Sequence, residues 1–266
     1  MYHVRGRDPL AAVTDLASRS FGPDLQPRLD VGFLNRVGVD AGNHAKLTTL
    51  NDYKQLVGER TWSAVNKYAA DLRERKVKIA FFSATPQGGG VALMRHALIR
   101  FLRLLGIDVA WYVPKPRPEI FRITKTNHNI LQGVNSPGEF LSDHQKEQMT
   151  QWVHENAKHY WLRKGGPLTA RADGGADVII VDDPQVPALI PLAKKADPER
   201  QVIYRSHIQI RSDLAADPSS PASGVWDYLW NDIQHSDVFI SHPIDSFVPK
   251  NVPTDIVGYM PATTDW

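Results

Sequence analysis

The 266-residue chain contains no cysteine, which excludes a disulfide framework, thiolate metal ligands and a thiol nucleophile. It also lacks any uninterrupted apolar run approaching the ~18–20 residues that a membrane-spanning helix requires. The first residues, with Arg5, Arg7 and Asp8, offer no hydrophobic export segment, and no Asn-x-Ser/Thr acceptor occurs anywhere. The expectation is a cytoplasmic protein without a membrane partner. An excess of one charge is missing too. Thirty-one basic against 29 acidic residues leave a formal charge of +2, and the basic ones are scattered, so the stripe that tracks phosphates is absent and nucleic acid is an unexpected partner. What remains is 42% hydrophobic, enough for an ordinary globular core.

The most informative stretch is Val77 to Ser83, a run of strand-forming residues, followed by Gly88-Gly89-Gly90 and an amphipathic helix predicted over 91–105. Three residues without Cβ let the chain turn tightly out of a sheet and let a ligand approach the N–H groups at a helix N-terminus. From there apolar strands alternate with helices. Strands are predicted at Asp108–Val113, Asp177–Val181, Val202–Tyr204, Asp237–Ser241 and Asp255–Tyr259. Helices are predicted in 118–132, from Ser142 to Arg163, near 187–195 and from Val225 to His235. Such a pattern calls for a parallel sheet covered on both faces, a doubly wound, Rossmann-like α/β fold. One helix is expected from about Leu50 to Arg75, and Ala215 to Gly224 reads as a mobile surface loop. Residues 1–49, broken by Gly22-Pro23, Pro27, Gly32, Gly38 and Gly42, read as a β-hairpin-like extension ahead of a domain at 50–266.

By itself the glycine run fits a tight turn as well as a ligand loop. It lacks the G-x-G-x-x-G spacing, and no G-x-x-x-x-G-K-[ST] loop exists. Position adds weight, because ligands in open α/β sheets bind beyond the carboxyl ends of the strands. Three more polar clusters follow strands directly: Asp182-Asp183-Pro184-Gln185, Arg205-Ser206-His207-Ile208-Gln209 and Ser241-His242-Pro243-Ile244-Asp245. Any one of them reads equally as helix capping; four together are better explained by a ligand edge. Asp182 and Asp183 are candidates for orienting sugar hydroxyls. No metal is expected, since His154 and His159 stand five apart instead of the four that place two histidines on one helix face. No G-x-S-x-G elbow supports a covalent hydrolase. Trp226, Tyr228, Leu229 and Trp230 have helical spacing and read as core.

Taken in order, Gly88-Gly89-Gly90-Val91-Ala92, Thr124 to Gly133, Asp183-Pro184-Gln185 and Arg205-Ser206-His207-Ile208 resemble the trehalose-synthesising and trehalose-phosphorolysing enzymes of glycosyltransferase family 4. The continuation His207 to Leu214, with Ile240-Ser241-His242-Pro243, looks most like fungal retaining trehalose phosphorylases, also described as clock-controlled proteins. The resemblance covers about Leu50 to Trp266. It implies a GT-B fold, of which this chain would be the N-terminal, acceptor-side domain. The implied reaction is reversible, retaining transfer of an α-glucosyl group between trehalose plus phosphate and glucose plus α-glucose 1-phosphate, without a cofactor. In that family the donor phosphate is held mainly by a C-terminal domain, so this chain alone is expected to be inactive. By the same resemblance His207 is the catalytic strand-end residue, its backbone carbonyl facing the anomeric carbon. Gly88, Gly89 and Gly90 would lie beneath the phosphate and donor sugar. Asp183, Gln185, Arg205 and Gln209 would bind glucose hydroxyls, and Lys125 and Asn129 would line the cleft. A nucleotide-sugar-dependent trehalose synthase and a non-catalytic interaction module stay open as alternatives, as does pairing into a homodimer.

Overall fold

The computed structural model describes residues 30–38 and 48–263. Six strands form one parallel sheet: β3 (Lys78–Phe82), β4 (Asp108–Tyr112), β5 (Val178–Asp182), β6 (Gln201–Arg205), β7 (Val238–Ser241) and β8 (Val257–Tyr259), in the order β4-β3-β5-β6-β7-β8. Two short antiparallel strands, β1 (Asp30–Val31) and β2 (Val37–Gly38), precede them. The helices are α1 (Leu50–Leu56), α2 (Glu59–Glu74), α3 (Gly89–Leu104), α4 (Pro118–Leu131), α5 (Asp143–Asn156), α6 (Leu189–Ala196), the single turn α7 (Ser212–Ala215) and α8 (Pro221–Ile233). The fold is the doubly wound α/β fold expected from the alternating pattern.

The strand residues are apolar on both faces because both faces are covered. Ala80, Phe82, Ile179, Val181, Val202, Tyr204 and Phe239 face one core, shared with α4, α5, α6 and α8. Phe81, Val109 and Trp111 face the other, against Ala92 and Ile99 of α3. Trp226 and Leu229 sit in the first core, with Tyr228 and Trp230 packed against it, as their spacing indicated. The small hairpin covers the carboxyl end of β4, one of the sheet's two edge strands. Val37 is buried beside Trp111, the Val113 N–H donates to the Asn35 carbonyl at 3.0 Å, and Trp161 Nε1 donates to the Leu34 carbonyl at 2.9 Å. At that end the edge strand is blunted against pairing with another chain. Of the extension expected at 1–49, residues 1–29 and 39–47 lie outside the described residues.

Three expectations need correction. The helix read over 50–75 is two helices, because Val57 is extended and Gly58 caps a fresh start at Glu59. The helix read from Ser142 to Arg163 ends at Asn156 and passes into a π-turn, Ala157–Trp161, which turns Trp161 fully into the core. The loop read at 215–224 is shorter, since Ser220 caps α8 through the Ala222 N–H at 3.2 Å and Pro221 to Gly224 form its first turn. Ser-Pro-rich composition there marks a capped helix start.

Strand order also locates the site. The chain leaves β3 for β4 on one side, then returns past β3 to place β5 on the other. Neighbouring connections therefore run opposite ways from the carboxyl ends of β3 and β5. A crevice opens at such a switch point.

Candidate functional site

The crevice holds a cavity of about 300 Å³ bordered by the loop after β3, the turn after β5, the segment after β6 and one face of α4. The loop after β3 is anchored from below: Trp111 Nε1 donates to Ser83 Oγ at 2.8 Å, and His96 Nε2 meets the Pro86 carbonyl at 2.9 Å. Gly88 and Gly89 then take φ of +75° and +77°, which only glycine adopts freely. No side chain among the described residues caps the start of α3, so its first N–H groups are left open beside the cavity. Gly90 serves a different need. A Cβ built on it would lie 2.6 Å from His207 Nε2, so the ring can press against the helix start only because the side chain is absent.

Asp183 also departs from ordinary backbone, with φ of +69°. Its N–H still joins the ladder through the Arg205 carbonyl at 2.8 Å, and Asn127 Nδ2 of α4 donates to the Pro184 carbonyl at 3.0 Å. The turn is thereby fixed so that the Asp183 carboxylate accepts from the His207 N–H at 3.3 Å and lies 3.4 Å from His128 Nε2. Burial raises the Asp183 carboxyl, but the hydrogen bond and charge of His128, with those of His207, outweigh it and hold the group below its ordinary value. Gln185 Nε2 stands 2.5 Å from His128 Nε2 and 3.4 Å from Asp183 Oδ2, closing a small polar network on the cavity wall.

His207 is gripped at three points. Asp183 takes its N–H, His242 Nε2 meets its carbonyl at 2.6 Å, and both Nη atoms of Arg205 lie 3.3 Å from its Nδ1. The carbonyl expected to face the anomeric carbon therefore already has a partner, although a carbonyl oxygen has a second lone pair. Burial first, and then the Arg205 charge, lower the His207 imidazole to about 4 against the pull of Asp183. The ring is neutral at neutral pH. Because the unfolded ring binds protons near 6.5, its contribution to stability is complete above that value and is lost as the pH falls toward 4. A proton NMR titration is expected to give His207 a midpoint of about 4; a midpoint near the ordinary 6.5 would contradict the enclosed site described here.

The structure sorts the residues singled out from sequence. Gly88, Gly89, Gly90, Asp183, Gln185 and His207 border one cavity. Arg205 does not reach it. Its side chain is 1% exposed beneath His207, paired with Asp182 at 3.5 Å and touching Met94 Sδ at 3.6 Å. Asp182 is equally hidden, 2.7 Å from Arg95 Nε, so neither group of this ion cluster can take a hydroxyl, and the sugar-orienting role expected of Asp182 is corrected. Burial pushes the Asp182 carboxyl up, opposed by the two guanidiniums. Lys125 and Gln209 are exposed, Asn129 is half-buried, and none of the three borders the cavity. Bordering it instead are His128 of α4 and Gln132, the residue at that helix's C-terminal cap. These stand four apart on the stripe next to Lys125 and Asn129. Sequence reading found the helix and missed its facing stripe; the signal was the apolar set Ile120, Ile123, Ile130 and Leu131, which fixes the buried side.

A family model described as the trehalose synthase N-terminal domain matches residues 81–249. The chain belongs to this family. It is 56% identical over 247 residues to the trehalose phosphorylase of Pleurotus pulmonarius, covering 92% of this chain and 33% of that protein. The corresponding enzyme of Grifola frondosa is 53% identical over the same length. A trehalose synthase of Pyrococcus horikoshii is 32% identical over 216 residues, covering 81% of this chain and 46% of that protein. The chain thus spans about a third of the length of the fungal relatives. In the trehalose synthase N-terminal domain family the matched segment runs from Phe81 in β3 past β7, so it includes every wall of the cavity.

Proposed function

We propose that the cavity at the β3/β5 switch point is the acceptor-side half of a glycosyl-transfer cleft acting on trehalose, as in a trehalose phosphorylase. Trehalose and phosphate would be converted to glucose and α-glucose 1-phosphate with retention, a second domain supplying the remaining donor contacts. The observation that carries this reading is the meeting of Gly88 to Gly90, Asp183, Gln185 and His207 around one cavity. Carboxylate, amide, imidazole and open N–H groups are the donors and acceptors that a polyhydroxylated ligand needs. In this reading His207 and Asp183 meet the sugar, Gln185, His128 and Gln132 order its hydroxyls, and the glycine N–H groups receive the phosphate side. The working compartment is the cytoplasm.

The whole reaction needs both reactants held in register, worth on the order of 7–11 kcal/mol of barrier, so the isolated chain is expected to bind sugar and not to turn it over. Titrating the chain with trehalose or glucose to saturation is expected to move the amide resonances of Gly88 to Gly90 and His207. If they stay still, the sugar site is wrong. A chimera in which this chain replaces the matching third of the Pleurotus pulmonarius enzyme is expected to consume trehalose with phosphate. A second reading, in which a nucleotide sugar is the donor, follows from the resemblance to trehalose-synthesising enzymes, and the Pyrococcus horikoshii relative is named a trehalose synthase. Turnover of the equivalent Pyrococcus horikoshii chimera with UDP- or ADP-glucose, and failure of the first chimera with phosphate, would favour it; inertness of both would favour a non-catalytic module.

A further inference from the structure

We infer that Arg205 is a positioning residue that fixes the tautomer of His207, holding Nδ1 as a bare acceptor so that the ring carries its proton on Nε2, at the glycine wall of the cavity. The inference rests on reading that cavity as the sugar site only for its functional meaning; the tautomer follows from contacts alone.

A guanidinium has N–H donors and no acceptor. Both Nη atoms of Arg205 stand 3.3 Å from His207 Nδ1, so a proton on Nδ1 would point at two further protons. The arginine cannot swing away. Its side chain is 1% exposed, with Asp182 Oδ1 on one side and Met94 Sδ on the other. Asp182 is held in turn by Arg95 Nε at 2.7 Å, and the Arg95 guanidinium lies 4.9 Å from the centre of the Phe81 ring. The opposite end of the imidazole abuts Gly90, whose missing Cβ would fall 2.6 Å from Nε2. A neutral imidazole has one N–H, and with Nδ1 barred it sits on Nε2.

The charged and titratable groups around the ring come from four elements: Arg205 from β6, Asp183 after β5, Arg95 from α3 and His242 after β7. Only Asp183 favours protonation, and its contact is to the backbone N–H. Arg205, Arg95 and His242 all oppose a second proton. The ring thus works as a fixed hydrogen-bond donor to an oxygen in the cavity, one that stays neutral and gives up no proton. In a sugar site this is a contact to a hydroxyl or phosphoryl oxygen, and the ion cluster behind it explains why a domain would bury two arginines on one aspartate so close to its cleft.

The test is made on the full chain. Two-bond nitrogen–proton NMR correlations at pH 7 are expected to show His207 with protonated Nε2 and bare Nδ1. In Arg205→Met, where the Arg95–Asp182 pair remains, a mixed tautomer is expected, and the titration midpoint should rise by about one pH unit. Arg205→Lys, which also offers donors only, should keep the wild-type pattern. A wild-type ring protonated on Nδ1, or an unchanged tautomer and midpoint in Arg205→Met, overturns the inference. Should Arg205→Met fail to fold, the wild-type pattern together with Arg205→Lys still decides. Trehalose is titrated into the same samples. No response from a wild-type ring with the expected tautomer counts against the sugar-site reading and leaves the tautomer standing.

Discussion

Replacing Asp182 with alanine is expected to destabilise the domain by about 3–5 kcal/mol, as found when one partner of a buried ion cluster is removed. The reason lies in the charge count. Asp182 is the shared carboxylate of two guanidiniums, Arg95 and Arg205, and all three side chains are 0–1% exposed. Without it, two positive charges face each other in the interior with no water to screen them. The cluster has little reserve, because Nη1 and Nη2 of Arg95 have no hydrogen-bond partner among the described residues. The Arg95 guanidinium also lies 4.9 Å from the centre of the Phe81 ring, and cation–π attraction is worth ~2 kcal/mol at a desolvated site. Asp182→Asn should fall between wild type and alanine, since it keeps one acceptor and loses the charge. Urea unfolding followed by circular dichroism measures both. A loss under about 1 kcal/mol for the alanine variant would mean that the cluster is hydrated and the interior described here too dry.

The same cluster shows where sequence reading stops. Alternating apolar runs placed β3 to β8 and the helices between them, since a buried parallel strand is recognisable from its own residues. The polar residues at the strand ends were visible for the same reason: each follows directly on a strand. What a linear reading could not supply was depth. Asp182 and Asp183 are neighbours, yet the positive φ at Asp183 turns its carboxylate to the cavity while that of Asp182 stays under the sheet's end. Arg205 and His207 are two apart and divide in the same way. Around α4 the difference is one of rotation: His128 and the capping Gln132 border the cavity where Lys125 and Asn129 do not, and only packing against the sheet settles which stripe faces inward. Length misled as well. The break between α1 and α2 at Gly58 leaves the helical period almost unbroken, so a single helix fitted the pattern.

Alanine at Gly90 is expected to lower kcat/KM of the Pleurotus chimera on the order of 10²-fold, the effect of moving by about 1 Å a group that, in the proposed function, meets the sugar. A methyl group there would stand 2.6 Å from His207 Nε2 and 3.2 Å from Cε1, so the ring must retreat, and its Nδ1 is already against Arg205. Gly88 offers the contrasting case. A Cβ there meets nothing within 4 Å among the described residues, but φ of +75° makes any side chain costly, by roughly 1–2 kcal/mol. Gly88→Ala should therefore destabilise the loop with little effect on the His207 resonances, while Gly90→Ala should shift them strongly at unchanged loop geometry. A double-mutant cycle isolates the clash. In a His207→Ala background there is no ring to displace, so adding Gly90→Ala should change neither stability nor residual turnover. Additive losses in that cycle would show that Gly90 is required for the helix start itself, and that the close approach of the histidine ring is incidental to it.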